Sequence, residues 1–327
     1  MNCSMIWITL LAACMVTPYN ISLHGINEVL GSHDMSKSMY PTNHAPEQDK
    51  EPLLSGVCFS PYEKKHCRDP KTIKHQIEML SAITSRLRLY SIDCGQLELV
   101  LEAIDKKNLT LKVLAGIWTR NENEPIEKMV TDFNAILDKN PKYPSYIDGI
   151  VVGNEDIFSG KPEQQVIENI NKVRSKLKGR SIPIGTAEIP TNWTPSLAKA
   201  CDVIYANIYS FFDPKTIAKG MKKAARLVIE RAEQIPSSGK KVVISETGWP
   251  SQGETASRDS YGAPTVNNQG RFLENFACRA AKKNMTYYIM EAFDGDWKEG
   301  PSVEKNFGLM TPEGQLKFTR FDHSIKC

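Results

Sequence analysis

IDGIVVGNE, residues 147–155, is a run of β-branched apolar residues that ends directly in an amide and a carboxylate, Asn154 and Glu155. A strand this uniformly apolar is buried on both faces, as happens in a parallel sheet covered by helices. Working outward, runs of the same kind recur at 55–59, 86–91, 110–117, 149–154, 183–187, 203–209, 241–245 and 286–292. Helical stripes lie between them: Ile73, Ile77 and Leu80; Leu97, Leu101 and Ile104; Ile126, Val130, Phe133 and Leu137. Val166, Ile170, Val173 and Leu177 continue the series, followed by Ile217, Met221, Ala224 and Val228. Each stripe covers one face of a helix and seats it on a sheet. Eight βα units over roughly 270 residues predict an α/β fold, a single-domain (β/α)8 TIM barrel, whose usual size is about 250 residues. A doubly wound open sheet is the competing arrangement.

The domain does not begin at Met1. Residues 5–16 (MIWITLLAACMV) form an apolar run of the length of a signal-peptide core, too short for a membrane span of about 20 residues. No Lys or Arg precedes it, so the usual basic start is missing, and a buried terminal strand or helix is the other reading. The expected organisation is a signal peptide over 1–19, a flexible leader over 20–53 without sustained periodicity, and a catalytic domain over 54–327. Six cysteines follow the leader, which allows fifteen pairings. Sequons at Asn108, Asn192 and Asn284 suit an exported glycoprotein.

Over 327 residues, 41 Lys and Arg nearly balance 38 Asp and Glu, and the net charge of +3 lacks the basic surplus of a nucleic-acid binder. There is no G-x-G-x-x-G, P-loop, G-x-S-x-G, H-E-x-x-H or C-x-x-C pattern. Dinucleotide, nucleotide, serine-hydrolase and zinc chemistries therefore lose their usual anchors.

In a barrel the chemistry sits at the C-terminal ends of the strands. Glu155 ends the fourth run, Glu246 the seventh (KVVISETGWPS, 241–251), and Glu291 lies in the eighth (YYIMEAFDGDW, 287–297). Each carboxylate alone reads as a strand-end cap or as the partner of an Arg such as Arg88. Three at equivalent heights suit glycosidic bond cleavage, in which one carboxyl protonates the leaving oxygen and an ionised one attacks the anomeric carbon. Spacing in sequence leaves the stereochemistry open. Trp118, Trp193, Trp249 and Trp297 follow strands 3, 5, 7 and 8, while Tyr62, Tyr90 and Tyr209 follow strands 1, 2 and 6. Aromatic rings there offer flat faces to sugar, although some must close the barrel top instead.

GVCFSPY (56–62), RLYSIDC (88–94), VVGNE (151–155), ISETGWPS (244–251) and EAFD (291–294), in this order, resemble glycoside hydrolase family 17. Within it the chain is similar to the fungal cell-wall type, the β-1,3-glucanases and β-1,3-glucanosyltransferases. The resemblance implies a retaining mechanism with Glu155 as acid/base and Glu246 as nucleophile. It implies that Asn154 bonds the sugar 2-OH, that Tyr209 orients the nucleophile, and that Glu291 contacts sugar or tunes the acid/base. Tyr62, Tyr90 and Trp249 complete the expected substrate-binding set. It further implies no metal or organic cofactor, a secreted or wall-bound monomer acting on β-1,3-glucan, and a disulfide between Cys67 and Cys94. The chain departs from the family pattern at Glu188 and the loop IPTNW (189–193), which is expected to line the cleft.

The expected function is a retaining β-1,3-glucan hydrolase of the endo-glucosidase type, with or without transglycosylation. The alternative is a wall-associated β-glucan-binding protein that has lost catalysis. A sugar-phosphate barrel enzyme would want a Gly-rich loop after strands 7 and 8, where this chain carries Trp.

Overall fold

The computed structural model describes residues 53–318 apart from 65, 121–123, 178, 214–219 and 255–261. Residues 1–52, which hold the expected signal peptide and all but the last residue of the leader, lie outside the described residues, as does Ile217 of the fifth stripe.

Eight parallel strands close into a barrel, which decides against the open sheet. Around it run β1 (Val57–Cys58), β4 (Arg86–Arg88), β5 (Lys112–Ile117), β6 (Ile147–Asn154), β7 (Ile184–Glu188), β8 (Val203–Asn207), β9 (Lys241–Thr247) and β10 (Tyr287–Ile289). Closure is made by β1, which pairs with β4 through Val57 and Leu87 and with β10 through Val57 and Ile289. Between β1 and β4 a small antiparallel hairpin, β2 (Tyr62–Glu63) and β3 (His66–Cys67), stands apart from the barrel. Several strands are shorter than their apolar runs, because the chain bends into loops where the site residues begin.

Alternation along the strands divides the core in two. Cys58, Leu114, Val151, Tyr205, Val243 and Tyr288 form one buried cluster, while their neighbours Val57, Val113, Ile150, Ile204, Ile244 and Ile289 belong to the large second cluster shared with the helices. Tyr205 is the bulky member of the first. A Cβ on Gly149 would stand 2.3 Å from its hydroxyl, so the missing side chain makes its room.

The outer ring is α1 (Pro70–Ser81), α2 (Gln96–Lys107), α3 (Ile126–Asp138), the one-turn α4 (Tyr143–Tyr146), α5 (Glu163–Lys176), α6 (Pro195–Ala200), α7 (Met221–Glu233) and α8 (Val266–Lys282). Their predicted stripes are the buried faces. Local chemistry sets the starts: the Asp69 carboxylate accepts from the Lys71 and Thr72 N–H groups before α1, and the Thr265 hydroxyl caps α8 at Asn268 N–H. One βα unit differs from expectation. After β10 the described chain forms only a 3-10 turn, Ser302–Asn306, since DGDWKEGPS has no apolar period to bury.

Cys67 and Cys94 form the expected disulfide, with Cα atoms 5.5 Å apart, and tie the hairpin to the loop after β4. Cys278 is also disulfide-bonded, whereas Cys58 and Cys201 are buried thiols. No helix among the described residues is long and apolar enough to cross a membrane.

Candidate active site

The C-terminal ends of β4, β6, β8 and β9 converge on one hydrogen-bonded cluster. Arg88, the last residue of β4, is 1% exposed and extends its guanidinium across the top of the barrel. Nη1 donates to Glu246 Oε1 at 2.7 Å, Asn207 Oδ1 at 3.2 Å and the Ser245 carbonyl at 3.0 Å. Nη2 donates to Asn154 Oδ1 at 2.7 Å. A buried cation is tolerated because it meets a carboxylate and polar oxygens on all these strands.

Glu246, on β9, is held at both oxygens. Oε1 accepts from Arg88 and from the Tyr90 hydroxyl at 2.8 Å, and Oε2 accepts from the Tyr209 hydroxyl at 2.7 Å. Burial pushes both tyrosines well above their ordinary range, so both remain donors. Three donors on one carboxylate fix its plane.

Glu155 follows β6 and has φ +54°, in the left-handed region. Its Oε1 accepts from Asn207 Nδ2 at 2.9 Å, and Asn207 also donates to Asn154 Oδ1 at 3.0 Å. Asn207 thus joins the two glutamates: one side of its amide serves Glu155, the other the Arg88 that holds Glu246. Burial, and then the neighbouring charge of Glu246, pushes the Glu155 carboxyl up to about 7. One glutamate therefore keeps its proton near neutrality while its neighbour is held by a cation. That is the division of labour an acid/base and a nucleophile need.

Asn154 accepts twice through Oδ1, and its Nδ2 donates to no group among the described residues. Its amide is thereby oriented with the donor end left for a ligand.

The other expected residues separate into three kinds. Tyr62 is half-buried; its hydroxyl donates to Asp93 at 2.7 Å and its ring meets Trp297 edge-on at 5.0 Å. Tyr90, expected on sugar, is part-buried and donates its hydroxyl to Glu246. Glu291 is 2% exposed and ion-paired to buried Lys298, so its charge is already engaged. Trp249 is corrected outright: it is 1% exposed, with Phe211 and Phe272 at 4.9 and 5.7 Å and its indole N–H on the Ala263 carbonyl. Its ring closes the barrel top and presents no face to a ligand, as does buried Trp193. Trp118 and Trp297 stay partly exposed, and Phe158 and Phe212, in the loops after β6 and β8, are 56% and 48% exposed.

The departure at Glu188 also reads differently in three dimensions. Its side chain is wholly buried and accepts from the Ile157 and Phe158 N–H groups at 2.7 and 3.4 Å and from Asn192 at 3.1 Å. It is a brace under the loop that follows Glu155. Burial raises this carboxyl while those N–H groups oppose the rise.

Sequence reasoning missed Asn207, and weighed Arg88 only as a counter-ion. Both stand at strand ends, as Asn154 does, and that position was the available signal. It also passed over Glu304, a partly buried carboxylate near Lys298 and Glu246 that burial shifts upward. Among the described residues, no cluster of His, Cys, Asp and Glu is arranged to hold a metal.

Solved structures share this fold. A glycoside hydrolase family 17 β-1,3-glucanosyltransferase from Rhizomucor miehei superposes with a TM-score of 0.71 at 24% identity, covering 81% of this chain and 95% of that one. An endo-laminarinase from Formosa superposes at 0.69 with 18% identity, covering 81% and 84%. At these identities the likeness is one of fold. In sequence, the chain is 29% identical over 298 residues to a probable glucan endo-1,3-beta-glucosidase btgC of Aspergillus terreus, covering 81% of this chain and 45% of that protein. It is 29% identical over 293 residues to the glucan endo-1,3-beta-glucosidase btgC of Emericella nidulans, with 81% and 45% covered. The chain thus spans under half the length of these relatives. The model of the BtgE/BtgC glycoside hydrolase domain matches residues 56–308, nearly all of the barrel, and the chain belongs to that family.

Proposed function

We propose that this protein is a retaining glycoside hydrolase that cleaves β-1,3-glucan, with Glu246 as nucleophile and Glu155 as acid/base. The observation that carries the reading is the pairing of two unlike carboxyls through Asn207. Glu246, gripped by Arg88, Tyr90 and Tyr209, attacks the anomeric carbon as Glu155 delivers its proton to the departing glucan oxygen. Glu155 then takes a proton from water, or from a second glucan's hydroxyl, and the glycosyl-enzyme bond breaks. Asn154 Nδ2 meets the sugar 2-OH, and the rings of Tyr62, Trp118, Trp297, Phe158 and Phe212 supply apolar faces along the cleft. The linkage follows the names of the relatives. Export to the wall as a monomer fits a glucan substrate and the apolar run at the N-terminus.

The test is incubation of the purified protein with linear β-1,3-glucan and time-resolved sizing of products. Shorter laminari-oligosaccharides are expected, and Glu246→Gln is expected to lower turnover by about 10⁴-fold or more with the fold intact. Products longer than the substrate mark transfer to a sugar acceptor. Binding without new reducing ends overturns the enzymatic reading in favour of a glucan-binding protein.

A further inference from the structure

Arg120 lies in the loop after β5, outside the Glu246 cluster, yet its polar contacts converge on the chain around Glu155. Its Nη2 donates to the carbonyls of two successive residues, Asn154 and Glu155, the latter at 2.9 Å. Its Nε stands 3.5 Å from Asp156 Oδ1, and its guanidinium lies 5.3 Å over the Trp118 ring. Asp156 is 1% exposed and accepts from the Thr119 hydroxyl and from Lys161 Nζ at 2.7 Å, while Lys161 also donates to the Thr119 carbonyl at 3.0 Å. The loop after β5 is thereby locked to the loop after β6 at the residue bearing the proton donor.

That residue needs the lock. A non-glycine side chain at φ +54° occupies a backbone region that L-residues rarely adopt, and such a conformation persists only where its surroundings over-determine it. Glu155 N–H on the Ala187 carbonyl at 2.7 Å and the Glu188 brace hold one side of the turn. Arg120 holds the other through both carbonyls. A lysine brings one compact charge and no planar fork, so it lacks the second nitrogen that stands by Asp156 while Nη2 holds both carbonyls.

Resting on the proposed glycosidase reading, we propose that Arg120 is a positioning residue of the acid/base: its grip on the Asn154 and Glu155 carbonyls aims the Glu155 carboxyl. The groups that face Glu155 are Glu246 on β9, Asn207 on β8, Glu188 on β7 and Arg120, with Arg88 on β4 reaching it only through Asn207 and Asn154. Arg120 is the one cation of this set set beside Glu155 itself.

The experiment compares Arg120→Met and Arg120→Lys with the wild type on two substrates. Laminarihexaose has a sugar leaving group that needs the proton; 2,4-dinitrophenyl β-laminaribioside has one that departs without it. For Arg120→Met, kcat/KM is expected to fall about 100-fold on laminarihexaose, within the range attributed to a general acid, and less than about 3-fold on the aryl glycoside. Loss of the cation disfavours the charged carboxyl, so the alkaline limb of the laminarihexaose profile moves to higher pH. Arg120→Lys keeps the charge and loses the fork: the limb stays in place and the loss, about 10-fold, is again confined to laminarihexaose. Equal losses on both substrates, no loss on either, or an unmoved limb in Arg120→Met overturn the inference. If Arg120→Met fails to fold by circular dichroism, Arg120→Lys decides alone, and a uniform loss there overturns it. Wild type that cleaves neither substrate overturns the glycosidase reading, and this inference with it.

Discussion

Arg88 and Glu246 meet at 2.7 Å at the top of the barrel, with only 1% and 5% of their surfaces exposed. The contact joins β4 to β9 across the barrel mouth and makes Arg88 the common partner of Glu246, Asn154 and Asn207.

Removing one partner of a buried ion pair leaves the other uncompensated, at a cost of about 3–5 kcal/mol. Arg88→Met is therefore expected to lower stability by that order in urea titration. Its kcat on laminari-oligosaccharides should fall by roughly 100-fold or more, because Glu246, the proposed nucleophile, loses its cation and Asn154 its orientation. A variant as stable and active as wild type would show that the pair is dispensable.

In the proposed mechanism Glu155 is the acid and sets the pH dependence. The acid must carry its proton, and burial followed by the Glu246 charge raises this carboxyl to about 7. The alkaline limb of kcat/KM is expected near pH 7, with activity lost above it. Stability has the same sign: the folded state holds the proton more tightly than the unfolded chain, so this group's contribution is fully present below about pH 4.5 and is lost as pH rises through about 7. Glu155→Gln should accordingly raise the melting temperature at pH 8 and leave it nearly unchanged at pH 4. The stabilisation at pH 8 should be on the order of 1–3 kcal/mol. Scanning calorimetry at the two pH values checks it, and equal shifts at both would refute the assignment.

Trp249 distinguishes a core aromatic from a sugar platform. Buried among Phe211 and Phe272, its truncation to Ala should cost about 3–5 kcal/mol. Laminari-oligosaccharide affinity, measured by calorimetry below the variant's unfolding transition, should stay within about 2-fold, since truncating a ring that contacts sugar would cost more than about 0.5 kcal/mol. A large loss of affinity with little loss of stability would return Trp249 to the cleft.

Much of this was legible before folding. Burial on both faces leaves a parallel strand apolar throughout, so IDGIVVGN and KVVIS announced themselves, and the first polar residue after each run marked the mouth of the barrel. Glu155 and Glu246 were found that way, and the structure puts each at the C-terminal end of its strand. The hairpin β2–β3 escaped notice because two-residue strands carry no period.

Roles within the mouth were a different matter. Trp249, Glu188 and Glu291 follow their strands much as Tyr62 and Glu155 do, and nothing in local pattern separates a side chain that closes the core from one that faces the cleft. Tyr90 became a partner of Glu246, and Asn207 of Glu155, only once closure of the barrel brought the ends of β4, β6, β8 and β9 to one mouth, across 156 and 52 residues of chain. The amino-acid order determined the barrel and which strand ends carry charge, because burial is a property of each segment's own composition. That Glu155 is pushed toward its protonated form while Glu246 is gripped by Arg88 and two tyrosines was decided by tertiary contact alone, because desolvation and hydrogen bonding belong to the assembled surroundings and to no single stretch of the chain.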